Sequence, residues 1–243
     1  MSAKTLDFII LEGEQEKRLP LVKISLHDLP KRAQYKKLIS LTPEFLLEQG
    51  VEHTIQSLVQ NYIKGIVKVH NLFTRIVKET ANENRVNYQT ITEVGFVYAT
   101  HGAYSKINTL YPKEKESDAD IIPAGHFDND KEIILSLENN LTEKYLQENI
   151  IHEHGHYLHK FLHPEKYENC DPTLKEVMSI FVQERCNYKR EYVKKTPHYR
   201  AQQILHQLEN KNNFKRATAR AQWNFLVQFT NHQELSDYTN KLP

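Results

Sequence analysis

The chain has 243 residues, 39% of them apolar and 26% charged, with a net charge of +1. That is the composition of an ordinary globular protein, long enough for one catalytic domain or two small lobes around a cleft, and it excludes binding to nucleic acid or membrane through the overall field of the molecule. The two cysteines, Cys170 and Cys186, exclude a disulfide framework, and the 7 glycines argue against a glycine-rich phosphate loop.

Thr5–Leu11 and Leu19–Leu26 each read as a short strand. Phe8-Ile9-Ile10-Leu11 is the apolar run of the N-terminal segment, too short for a signal-peptide core and far too short to span a membrane. The cytoplasm is therefore the expected location, although secretion without a cleaved signal would leave the same sequence. From Leu41 the pattern turns helical, with Thr42-Pro43-Glu44 in the form of a cap. Ile55, Leu58, Val59, Tyr62, Ile63, Ile66 and Val69 recur at three and four residues and predict a helix over Thr54–Lys78. Thr90–Ala103 fits either state, and the charged stretch Lys113–Asp120 is the best boundary. Residues 1–112 are then an N-terminal, largely helical region and residues 121–243 a catalytic region, together one unit with a cleft between the two.

Beyond the boundary, the turn Asp128-Asn129-Asp130 precedes a compact strand signal, Glu132–Leu137. A helix is predicted from Thr142 to Leu162. Asp171 as N-cap and Pro172 at the first helical position open another, predicted to continue to Lys195. Pro197–Glu209 and Asn213–Phe229 complete a helical C-terminal part, with Trp223, Phe225, Leu226 and Phe229 as core anchors. Residues 189–220 carry Lys189, Arg190, Lys194, Lys195, Arg200, Lys211, Lys215, Arg216 and Arg220 against Glu191 and Glu209. Such a run reads first as a solvated helix face. Nucleic acid and membrane are not expected partners, and a nucleic-acid-associated role is the alternative for this segment.

The chemistry is concentrated in His152-Glu153-His154-Gly155-His156, an instance of H-E-x-x-H. Positions i and i+4 of a helix lie about 40° apart, so the imidazoles of His152 and His156 can reach one metal. Glu153 is placed to act as general base on a water that the metal has acidified. With 13 histidines in the chain the motif alone is only suggestive. His152, His156, His159 and His163 fall within an arc of about 60° on a helical projection, separate from the arc of Leu146, Ile150, Tyr157 and Phe161. Gly155 inside a helix costs about 1 kcal/mol against alanine and implies close packing there. His154 falls in the apolar arc and reads as a core histidine. His159 lies one turn beyond His156, where a place behind the ligands or at the surface is expected rather than ligation. Histidine stands where the extended H-E-x-x-H-x-x-G-x-x-H motif has glycine, and Leu162 where it has its third histidine, so a third ligand must come from elsewhere.

Here the chain resembles the glutamate-ligand zinc peptidases, the gluzincins. That resemblance implies a downstream helix supplying a glutamate. Glu176, 20 residues after His156, has the separation of thermolysin-like enzymes and is the favoured third ligand, with Met178, Phe181 and Val182 as an apolar face behind it. Glu184 is the rival; alternatively both are ordinary exposed glutamates and Asp171 or a water completes the set. The motif through His159 also looks like the H-E-x-G-H-x-x-H of ImmA/IrrE-type peptidases and of the thimet-oligopeptidase-like family, and toxin-like peptidases of the anthrax lethal-factor type share H-E-x-G-H. Neither E-x-P-S-Q nor a clear E-x-x-A-N-x-F-A follows downstream. An oxyanion stabiliser is usual in such sites, and Tyr188, Tyr192, His198 and Tyr199 are available.

The expected fold is α+β and zincin-like, mostly helical, with a small sheet whose edge strand, Glu132–Leu137, precedes the active-site helix and pairs with extended substrate. The expected activity is a zinc metallopeptidase with one Zn2+ on His152, His156 and Glu176, hydrolysing a protein or peptide through a zinc-bound water activated by Glu153. A secreted effector or toxin-type protease acting on a host protein, and a non-catalytic zincin-fold binding protein, are the alternatives.

Overall fold

A computed structural model describes residues 4–12, 15–24, 55–77, 93–99, 125–128, 132–136, 142–192, 194 and 196–242. The Thr42–Glu44 cap, the Lys113–Asp120 boundary and Asn129-Asp130 of the expected turn lie outside the described residues. The chain divides into two compact units, one of Met1–Val67 with Gln89–Ile150, the other of Lys68–Tyr88 with Ile151–Pro243.

The first unit holds five strands: β1 (Lys4–Glu12), β2 (Gln15–Ile24), β3 (Glu93–Ala99), β4 (Gly125–Asp128) and β5 (Glu132–Ser136). They form one sheet in the order β2-β1-β3-β5-β4. β1 is antiparallel to β2 and parallel to β3, while β5 is parallel to β3 and antiparallel to β4. Pro20, which has no N–H to donate, lies on the edge strand β2 opposite Asp7, where the register of the β1–β2 pair shifts.

Helix α1 (Ile55–Val77) begins in the first unit and ends in the second, and so does α2 (Glu143–Leu162). The second unit continues with α3 (Pro164–Asn169), α4 (Pro172–Arg185), α5 (Pro197–Glu209), α6 (Asn212–Arg216), α7 (Ala219–Leu226) and α8 (His232–Lys241). Its centre is α4. Leu174, Val177, Met178, Phe181 and Val182 are wholly buried, against Leu72 and Phe73 of α1, Leu158 of α2, Leu205 of α5 and Trp223 of α7 in one core cluster. Burial on nearly every side is the behaviour of a helix apolar all round. Its polar exceptions, Ser179, Gln183 and Glu184, are buried too, and each needs a partner.

The expected α+β class is overturned for the part of the chain that carries the motif. All elements whose side chains are described, over 55–77 and from residue 142 onward, are helices and include no strand. Nor is Glu132–Ser136 an edge strand: it is paired on both sides, by β3 and β4, and the edge is Gly125–Asp128. Strand signals are local, whereas edge position depends on which distant segments pair.

Three helix boundaries also differ from expectation. α4 stops at Arg185, ten residues short of Lys195, because Asn187 adopts φ 66°. The Tyr188 N–H then donates to the Gln183 carbonyl and the Asn187 N–H to that of Glu184, a Schellman closure with asparagine in the left-handed position. Thr218 caps a new helix through its Oγ1, 3.2 Å from Ala221 N, so the expected Asn213–Phe229 helix is two, α6 and α7. α8 has a similar start at Asn231, whose side chain accepts from Gln233 N. Trp223 and Leu226 are wholly buried, with Phe225 and Phe229 packed partly exposed against the core. Both cysteines are buried free thiols, pushed up by burial to about 11 for Cys170 and about 12 for Cys186.

Candidate metal centre

Gly155 brings the motif helix and α4 together. A Cβ on Gly155 would stand 2.8 Å from Ser179 Cα and 2.9 Å from its Oγ, closer than packed atoms approach. In the same contact Ser179 Oγ donates to the His152 carbonyl, one turn of α2 below Gly155. Ser179 lies three residues after Glu176 and on the same face of α4. The close approach therefore presents Glu176 to the two histidines that flank Gly155.

His152 Nε2 lies 3.0 Å from Glu176 Oε2, and His156 Nε2 lies 3.5 Å from Glu176 Oε1. The three residues offer ligand atoms within 4.8 Å of one another and could hold a metal ion. Four ligands at about 2.0–2.1 Å from zinc stand about 3.3 Å from one another along the edges of a tetrahedron. The observed separations fit that spacing. Glu176 Oε2 is buried, and His152 Nε2 and His198 Nε2 face it at 3.0 and 3.1 Å.

The other ring nitrogen of His152 is held in place. Nδ1 lies 3.3 Å from Gln183 Oε1, which also accepts the Tyr192 hydroxyl at 2.7 Å. An amide oxygen only accepts, so Nδ1 carries the hydrogen and Nε2 turns its lone pair toward Glu176. Two acceptors then face each other at 3.0 Å, an arrangement that a proton or a metal ion between them resolves.

Glu153 is 6% exposed on the same helix. The Tyr167 phenol is pushed up by burial and further by the charges of Glu176 and Glu153, so both carboxylates are within electrostatic reach of one ring. Burial raises the Glu176 carboxyl, but the imidazoles of His198, His156 and His152 more than offset it and hold it well below the usual carboxylate range. The imidazole of His198 is lowered, by burial first and then by His152, His156 and Arg190, against the pull of Glu176.

Of the four oxyanion candidates, His198 comes to the site, in the first turn of α5 behind the Thr196 cap and Pro197. Its ring stacks on Tyr192 at 5.2 Å between centroids and lies 5.3 Å from His152. Tyr188 instead accepts a hydrogen bond from Lys68 Nζ at 2.8 Å. The Tyr199 backbone N–H closes the α5 cap at Thr196 Oγ1.

The rival ligands are elsewhere. Glu184 pairs with His206 at 3.1 Å. Asp171 caps α4 through Leu174 N at 2.8 Å and holds His232 Nδ1 at 2.9 Å. His154 is wholly buried, and His159, at 1% exposure, lies between the edges of Tyr167 and Trp223 instead of at the surface. Gln183 has no place in the motif. Its only sequence signal is a polar residue in a helix otherwise buried on nearly every side.

No family model matches this chain, no curated protein matches it and no solved structure matches it. Among the described residues no helix is long and apolar enough to cross a membrane.

Proposed function

We propose that the chain is a zinc-dependent peptidase, with His152, His156 and Glu176 holding one Zn2+ and Glu153 as the general base. The support is a single observation: two imidazole Nε2 atoms converge on one buried carboxylate at ligand-to-ligand distances.

Zinc at this position would polarise a carbonyl and bring the pKa of water toward neutrality. The remaining chemistry belongs to side chains. Glu153 accepts a proton from the attacking water and returns it to the nitrogen of the leaving amine, so that one peptide bond and one water become a carboxylate and an amine. His198, whose Nε2 lies 3.1 Å from Glu176 Oε2, is the donor for the oxygen on which charge develops. Gln183 and Tyr192 keep the His152 ring oriented. The substrate is a protein or peptide.

Incubating the zinc-loaded chain with a proteome-derived peptide mixture and identifying new termini by mass spectrometry tests the reading. Cleavage is expected to fall by about 100-fold or more in Glu153→Gln, the scale of general-base catalysis, with zinc retained. Undiminished cleavage by that variant would remove Glu153 from its role. A zinc-bound wild type that cuts no peptide would make the centre a binding or structural one.

A further inference from the structure

Glu184 repeats, eight residues further along α4, the contact that Glu176 makes at the proposed zinc site. Glu176 faces His198 at 3.1 Å, and Glu184 faces His206 at 3.1 Å. His198 and His206 are likewise eight residues apart on α5, so the two helices run side by side in the same direction. At about 1.5 Å per residue the second contact lies about 12 Å along each helix from the first.

A third side chain of ligand type stands at this second place. Glu209 follows His206 by three residues and shares its face. Glu184, His206 and Glu209 offer ligand atoms within 4.8 Å of one another. The Glu184 side chain is 3% exposed, and its Oε2 is buried with no hydrogen-bond partner among the described residues. Leaving a buried carboxylate oxygen bare costs roughly 1–3 kcal/mol or more. Arg185 Nη2 takes Glu209 Oε1 at 2.7 Å and Arg185 Nε takes Gln222 at 3.0 Å, so the guanidinium serves Glu209 and leaves Glu184 Oε2 bare.

We infer that Glu184, His206 and Glu209 bind a second divalent cation, which clamps the C-terminal turn of α4 to that of α5. One imidazole nitrogen with two carboxylate oxygens suits zinc or manganese and not calcium, which takes six to eight oxygens. The 3.1 Å between Glu184 Oε1 and His206 Nε2 fits the edge of about 3.3 Å expected between ligands of one zinc ion. Such a clamp fixes the register in which α4 and α5 present Glu176 and His198 to the first centre. The inference does not depend on that centre being catalytic.

The test is zinc stoichiometry of the full chain, stripped with chelator, reloaded with ZnCl2 and measured by mass spectrometry of the metal after gel filtration. Wild type is expected to hold two zinc ions. His206→Gln, at a position with 44% of its side chain exposed, is expected to hold one, and so is His156→Ala. The double variant is expected to hold none. In His156→Ala, added zinc is expected to raise the melting temperature; an unchanged one would overturn the clamp. One zinc in wild type, lost with His156→Ala and kept with His206→Gln, would also overturn it. One zinc lost only with His206→Gln would instead sink the first centre and leave this one.

Discussion

Gly155 and Ser179 stand so close that no other residue fits at the glycine, since the nearest obstacle to a Cβ is the Ser179 Cα at 2.8 Å. Gly155→Ala gains about 1 kcal/mol of helix propensity but forces α2 and α4 apart, at a cost of about 1–3 kcal/mol. A lower melting temperature and weaker zinc binding are both expected, because Glu176 moves with Ser179. As the clash is with main chain, adding Ser179→Ala should not restore either property. Differential scanning fluorimetry with and without zinc measures this, and a Gly155→Ala protein more stable than wild type, as helix propensity alone would make it, would contradict the close contact.

Asp171 separates a structural carboxylate from a ligand. Its Oδ1 caps α4 and its Oδ2 accepts from His232 N and Nδ1. Asp171→Ala is expected to lose about 1–2 kcal/mol, the value of an N-cap, with zinc affinity unchanged. A urea melt and a chelator titration measure the two properties. Loss of zinc with stability intact would return Asp171 to the ligand set.

What was legible in the sequence was local. His152 and His156 lie one helical turn apart, and the spacing alone fixes their common direction. Glu176 followed from a resemblance, through its distance from the motif, and the crossing at Gly155 and Ser179 explains how that distance is closed. Gln183 depends on α2 crossing α4, and the choice of His198 over Tyr188 and Tyr199 on α5 lying beside α4, and no spacing encodes either. The same holds for the sheet. Glu132–Ser136 is strand-like by composition, but its neighbours β3 and β4 decide that it is interior. Asn187 ended α4 early because a left-handed residue can close a helix wherever the following turn packs, and nothing in the charged run after it marks the place.

His159 gives the metal-free protein an acid limb. Burial first, and then His163, His156 and Lys175, push its imidazole down from 6.5 to about 3, and neither ring nitrogen has a hydrogen-bond partner among the described residues. The unfolded chain therefore takes up a proton as pH falls through about 6.5, while the folded chain does so only near 3. Between those values the unfolded state binds more protons, so stability falls with falling pH and is unaffected above them. The slope approaches about 1.4 kcal/mol per pH unit. His159→Phe keeps a ring against Tyr167 and Trp223 and should flatten this limb. Urea midpoints of chelator-treated protein from pH 7 to pH 4.5 measure it, and parallel curves for the two proteins would refute the assignment.

Gln183 should set zinc affinity without touching the metal. Its Oε1 accepts the His152 Nδ1 hydrogen at 3.3 Å and the Tyr192 hydroxyl at 2.7 Å, which leaves the Nε2 lone pair for the site. Gln183→Leu removes that acceptor, and the ring is then free to carry its hydrogen on Nε2, where it must be lost before a metal can bind. Partners of this kind are worth about 10- to 100-fold in metal affinity, and that is the expected loss. Tyr192→Phe leaves the amide in place and should cost less than Gln183→Leu. Gln183→Glu supplies a stronger acceptor and should bind zinc at least as tightly as wild type, while its buried charge lowers the stability of the metal-free form. Competition with a fluorescent chelator, in a His206→Gln background so that one centre is read, orders the three. Affinity indifferent to Gln183→Leu would mean that the ring is held by the helix alone and that the amide only fills space.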